Sequence, residues 1–224
     1  MNLYEVSTWV VPVVLAVTLH EAAHGFVAYH LGDDTAWRAG RVSFNPFRHI
    51  DPIGTILLPA LLLLSGSRFL FGYAKPVPVN FGRLNRPRRD MVWVALAGPG
   101  TNILLALVSS LFADRLGLVP AAAAVWLDYN LVNSIVINVV LCVFNMLPLP
   151  PLDGGRVAVG LLPDALAFPL ARLERYGMLI LLLFLFVLPF LGQQTGINLN
   201  ILGWLIGVPA DALYQFVLTI TGHD

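Results

Sequence analysis

The run His20-Glu21-Ala22-Ala23-His24 has the spacing of a zinc site. On a helix, positions i and i+4 lie one turn apart on one face. Two imidazoles placed so can close on a single Zn2+. The intervening Glu21 then lies near the metal's open side, where it can act as general base. The chemistry of such a group is metal-assisted hydrolysis. Chance occurrence of three fixed residues in a chain this size is on the order of 1%, using average residue frequencies. A polar stripe on a surface helix would be the blander reading. It fits poorly, because the surrounding run is apolar and ionisable groups in hydrocarbon cost several kcal/mol unless partnered.

Two histidines leave zinc under-coordinated, since a catalytic site wants three protein ligands and an open position. The third ligand should come from another helix ending at the same depth. The stretch Asn145-Met146-Leu147-Pro148-Leu149-Pro150-Pro151-Leu152-Asp153-Gly154-Gly155 offers Asp153. Its prolines break a helix and its glycines permit unusual backbone angles. Broken backbone at membrane depth is tolerated where it lines a cavity.

The elements that must position these residues are membrane helices. Of 224 residues, 58% are hydrophobic and 12% charged, against about 25% charged in soluble domains. The lipid bilayer is the solvent that tolerates this composition. Long apolar runs at about 6–31, 91–113, 131–147 and 177–191 read as helices near the ~20 residues needed to span. The first lacks a signal peptide's charged leading region and reads as a retained helix. A fifth run, 197–220, is interrupted by Gly203, Gly207 and Pro209. It reads as one kinked helix or as a re-entrant piece followed by an interfacial helix. The short run 53–64 reads as re-entrant. Alternation at 41–44 and 73–79 suggests a small membrane-associated β segment, with Pro76 and Pro78 confining the second stretch to a sheet edge. The fold class expected is an all-α polytopic membrane protein with about five to six transmembrane or re-entrant helices plus that β segment. It forms a single domain, 1–224, with a catalytic core over about 6–160 and C-terminal helices over about 177–220.

Charge bears on orientation. Except for Arg115, every Lys and Arg falls within 32–50, 66–90 or 153–176. With 53–64 re-entrant, all three stretches lie on one face, which the positive-inside rule makes cytoplasmic. The net charge is zero, so nothing basic points to nucleic acid. A lone cysteine, Cys142, excludes an intrachain disulfide and a Cys-based zinc site.

These motifs resemble the site-2 protease family of intramembrane zinc metalloproteases. The resemblance rests on HEAAH in the first helix and NMLPLPPLDGG after the third. Ala97-Gly98-Pro99-Gly100-Thr101-Asn102 is similar to the family's Gly-Pro element. NPFRHIDPIGT at 45–55 and GYAKPVPVN at 72–80 resemble its compact bacterial members. The likeness covers roughly 10–160 and includes no PDZ or CBS domain. It implies one catalytic Zn2+ held by His20, His24 and Asp153, with Glu21 as catalytic base. It also implies that Asn145 helps hold substrate or oxyanion. It further implies regulated intramembrane proteolysis, with a transmembrane-segment protein or a remnant signal peptide as substrate. The setting implied is a prokaryotic plasma membrane with the site toward the cytoplasm.

Other polar residues read more simply. Asn102, Asn133 and Asn138 suit hydrogen bonds between helices, Gly98 and Gly100 suit close helix packing, and His30 sits near a helix end. His49 either approaches the site or belongs to an interfacial loop. A transporter would also carry intramembrane His, Glu and Asp, but transport does not require HExxH spacing, and no two-half symmetry is visible. A non-catalytic relative that binds membrane partners could keep the same motif, although the intact Glu21 speaks against it. A zinc hydrolase acting on a non-peptide substrate would carry it too.

Overall fold

The computed structural model describes residues 3–58, 61, 72–113 and 115–223. Five helical stretches among them are long and apolar enough to cross a membrane. Helix α1 is Leu3–His30. After the four-residue α2 (Thr35–Arg38) come α3, Pro87–Ala113, and α4, Ala121–Asn145. Two short helices follow, α5 (Asp153–Leu161) and α6 (Asp164–Arg172). Helices α7 (Glu174–Leu182) and α8 (Leu188–Thr195) run on through a π turn, Leu183–Val187, as one span. Helix α9 is Ile201–Thr221. It continues past Gly203, Gly207 and Pro209, so the last run is one helix rather than a re-entrant piece.

These helices form because their residues are apolar and the chain's own N–H and C=O groups must bond internally in lipid. The 28 residues of α1 rise about 42 Å at ~1.5 Å each, enough to cross ~30 Å of hydrocarbon. Helices α1, α3 and α4 pack together as the central bundle, and α9 lies against α4 and α3. Small residues allow this approach: Ala16, Ala28, Ala95 and Ala106 are buried. The apolar core is thin. Ala106, Ile135, Val139, Ala210 and Val217 form one cluster between α3, α4 and α9. Large side chains such as Leu104, Phe112, Leu179, Trp204 and Phe216 point outward. In water such faces would be an aggregation hazard; in lipid they match their solvent. The chain is a multi-pass membrane protein.

The expected β segment is not there. Among the described residues no strand occurs. Residues 72–80 are extended, but four of their N–H groups are already committed. Tyr73 donates to Gly54 O at 3.0 Å and Lys75 to His49 O at 2.9 Å. Val77 donates to the Glu21 carboxylate and Asn80 to the Asp33 carboxylate. Pro76 and Pro78 have no N–H to give. The 41–44 stretch reaches 72–80 through a side chain: the Arg41 guanidinium donates to Lys75 O at 2.7 Å. Side-chain-to-backbone bonds thus replace a ladder. The re-entrant reading of 53–64 is only partly visible. Pro52–Leu57 forms one π-helical turn capped by Asp51, whose carboxylate accepts the N–H of Ile53 and Gly54. Most of the remainder lies outside the described residues.

Two clamps orient the chain that follows α4. Arg88, near the start of α3, donates to Gly160 O at 3.1 Å and to Leu162 O, and pairs with Asp164. Gly177 of α7 faces the turn that carries Pro150 and Pro151. A Cβ there would fall 1.8 Å from Pro150 O, so only glycine lets α7 brace that turn. Replacing Gly177 with Val is expected to destabilise the detergent-solubilised protein by roughly 1–3 kcal/mol. The check is a thermal melt, with the midpoint falling by several degrees.

Candidate metal centre

His20 and His24 sit one turn apart on α1, and both are buried. Their Nε2 atoms are 3.1 Å apart. Asp153 opens α5 directly after the broken turn beyond α4. Its Oδ2 lies 3.3 Å from His20 Nε2 and 3.4 Å from His24 Nε2. Three potential ligand atoms therefore form a nearly equilateral triangle.

The hydrogen bonds on the far side of each ring define what the triangle is for. His24 Nδ1 faces the main-chain carbonyl of Val94 at 2.7 Å. A carbonyl only accepts, so Nδ1 carries a proton, and in the neutral ring Nε2 presents a lone pair. His20 Nδ1 likewise meets Asn102 Oδ1 at 2.6 Å. Two Nε2 lone pairs cannot hydrogen-bond one another, and a carboxylate adds a third acceptor. Asp153 Oδ2 is buried and has no hydrogen-bond partner among the described residues. A cation relieves this arrangement. Zinc bonds of about 2.0–2.1 Å in a tetrahedron put ligand atoms about 3.3 Å apart, which matches the observed edges. The residues present fit zinc.

The surroundings keep the site in shape. Asn102 Nδ2 donates to Asn138 Oδ1 at 2.7 Å. Asn138 Nδ2 donates to Ser134 O at 2.9 Å, and Ser109 Oγ donates to Ser134 Oγ at 2.7 Å. A polar chain thus runs from the His20 ring across α3 and α4, with Asn102 and Asn138 almost wholly buried. Such outer partners fix the ring's orientation and tautomer. Gly98 of α3 faces both rings: a Cβ there would lie 2.5 Å from His24 Nε2 and 2.5 Å from His20 Cε1. Any side chain would invade the space between the ligand atoms.

The remaining sequence candidates fall elsewhere. Glu21 is half-buried, and its Oε2 accepts the N–H of Val77 at 2.7 Å. Asn145, the last residue of α4, turns its Nδ2 back to Leu141 O at 3.0 Å. His49 is buried in the loop, its Nε2 donating to Ser43 O at 2.9 Å. His30 is exposed, with Nδ1 facing Phe26 O. Asn133 reaches Thr8 of α1. Sequence reasoning assigned Gly98 only to helix packing, placed Val77 only in the extended edge at 73–79, and did not single out Val94. A main-chain carbonyl or N–H leaves no mark on residue type. The Gly98 role needed the register between α1 and α3.

A polytopic membrane protein with an HExxH helix and a remote aspartate converging on one gap belongs by fold and site among the zinc-dependent hydrolases. Comparison with known proteins agrees. The chain is 40% identical over 184 residues to YwhC of Bacillus subtilis, covering 80% of each chain; that protein's name assigns it provisionally to the zinc metalloproteases. The same provisional name is given to Rip2 of Mycobacterium tuberculosis, 31% identical over 87% of this chain and 68% of its own. It is also given to MJ0611 of Methanocaldococcus jannaschii, 33% identical over 62% of each. No family model and no solved structure matches. The chain belongs to the site-2 protease family of zinc metalloproteases, and His20, His24 and Asp153 lie close enough together to hold the zinc ion that the relatives' names give.

Two substitutions away from the ligand atoms test this geometry. Asn102→Leu removes the acceptor that orients His20, and should weaken zinc about 10–100-fold in competition with a chelator. Gly98→Ala should do at least as much damage, because the added methyl group enters the triangle itself.

Proposed function

We propose that this protein is an intramembrane zinc metalloendopeptidase of the site-2 type, hydrolysing peptide bonds within or near transmembrane segments. The observation that carries this reading is the depth of a hydrolytic metal site inside an apolar helix. His20 is ten positions before the end of α1 at His30, about 15 Å along the axis at ~1.5 Å per residue. Soluble substrates do not reach such a site unaided; a membrane segment does.

Zinc held by the three side chains supplies Lewis acidity, making water nucleophilic near neutral pH and polarising a carbonyl. The chain's own residues do the rest. Glu21 takes the proton from the attacking water and passes it to the leaving amine. Asn145, at the cytoplasmic end of α4 in this reading, donates its amide N–H groups to the extended substrate or to the developing oxyanion. The rigid Asn102–Asn138 chain keeps the His20 ring still while charge develops. A helical substrate shields its own carbonyls, so it must unwind locally before Glu21 can serve it.

The partners that fit are membrane proteins with one spanning segment or remnant signal peptides, as the family resemblance implies. The setting that fits is a prokaryotic plasma membrane, since the relatives named above are bacterial and archaeal. The distribution of Lys and Arg supports a site open to the cytoplasm. Regulated intramembrane proteolysis is the biological role this implies.

The test uses purified protein in detergent, a model transmembrane substrate and metal analysis. Wild type should hold one zinc and cut. Glu21→Gln should keep zinc and lose cleavage by about 100-fold or more. Asp153→Ala should lose both. Zinc-loaded wild type that leaves every membrane substrate intact, while hydrolysing a small soluble ester or peptide, would overturn the proposal.

A further inference from the structure

We propose that the main-chain N–H of Val77 is a positioning group for Glu21, fixing where its carboxylate sits through a strap formed by residues 72–80. This rests on the reading of Glu21 as general base. The contact is direct: Val77 N donates to Glu21 Oε2 at 2.7 Å. Among the described residues no other hydrogen bond reaches that carboxylate.

The local sequence makes the contact selective. Pro76 and Pro78 flank Val77, and neither has an N–H. The tripeptide thus offers one donor, and Glu21 takes it. The residue before a proline is held in extended backbone, which fixes the donor's direction. An ionised acceptor makes this a strong, short hydrogen bond, and it leaves Oε1 free for a water proton.

The strap is built to be still. It is anchored at Tyr73 by Gly54 O and at Lys75 by His49 O. Arg41 grips Lys75 O, and buried Asp33 accepts the N–H of Asn80 at 2.6 Å. The Val77 side chain is itself buried and sits against Gly25, one residue beyond His24 on α1. A movable lid would carry looser ties. The firm seating argues that the strap presents Glu21 rather than covering it. Asp33, His49 and Arg41 then hold the strap and act on Glu21 only through it.

Three variants of the full-length enzyme separate the donor from the side chain. Val77→Pro removes the N–H in an extended Pro-Pro-Pro run. Replacing Val77 by its hydroxy acid gives a main-chain ester and removes the N–H with the isopropyl group intact. Val77→Ala keeps the N–H and trims the side chain. The readouts are kcat, KM, bound zinc and thermal midpoint. Val77→Pro and the ester should lower kcat about 10–100-fold, the scale of a misplaced catalytic group. KM and the zinc content should hold. Val77→Ala should stand well above both in kcat. If Val77→Pro loses zinc or fails to fold, the ester alone decides. An ester with unchanged kcat overturns the proposal. So does one with raised kcat, which would make the strap an inhibitory contact, or a loss carried by KM alone, which would make it a substrate contact. Val77→Ala falling as far as the ester also overturns it. A fully active Glu21→Gln removes the general-base reading itself, whereas an inactive Glu21→Gln beside a normal ester removes only the positioning role.

Discussion

Three lone-pair-bearing atoms, His20 Nε2, His24 Nε2 and Asp153 Oδ2, are held within 3.4 Å of each other in a buried, largely apolar bundle. Left alone they repel, and in a low dielectric that repulsion is weakly screened. The fold nonetheless holds them there with two fixed tautomers, a glycine facing both rings and a braced turn after α4. A cation in the middle relieves that repulsion. The α1–α3 register, the glycine at position 98 and the Arg88 and Gly177 clamps all serve one triangle of atoms.

The bilayer imposes the second constraint. Polar groups inside it must find partners within the protein. They do so between helices, Asn102 to Asn138, Ser109 to Ser134 and Asn133 to Thr8, and within α4, Asn138 to Ser134. Apolar surface cannot glue helices together when lipid is equally apolar, so small residues and these bonds carry the association. The same network therefore contributes to two properties. It holds α1, α3 and α4 together, and it fixes the histidine that would otherwise rotate.

The loop between α1 and α3 shows how a pattern in sequence can be satisfied in an unexpected way. Alternation at 73–79 is a strand pattern, and the chain there is indeed extended. The N–H groups of Tyr73, Lys75, Val77 and Asn80 go instead to four separate acceptors: Gly54 O, His49 O, the Glu21 carboxylate and the Asp33 carboxylate. With those four donors spent and two prolines between them, the stretch lacks the regular row of N–H groups a ladder needs. Residues 72–80 are consequently a strap alongside the C-terminal part of α1.

By itself the sequence determined the solvent, the first four long apolar runs and the types of atom available to a metal. It could do so because hydropathy and i, i+4 spacing are local properties of the chain. It also left the last run as one helix or two pieces, and the unbroken helix through Pro209 decided for one. Tertiary structure alone decided which groups stand behind the metal ligands. Val94 lends a carbonyl, Val77 lends an N–H, and Gly98 lends the absence of a side chain. Each of these depends on the register between segments far apart in the chain. Main-chain groups are the same at every residue, so no reading of side-chain types could have found them.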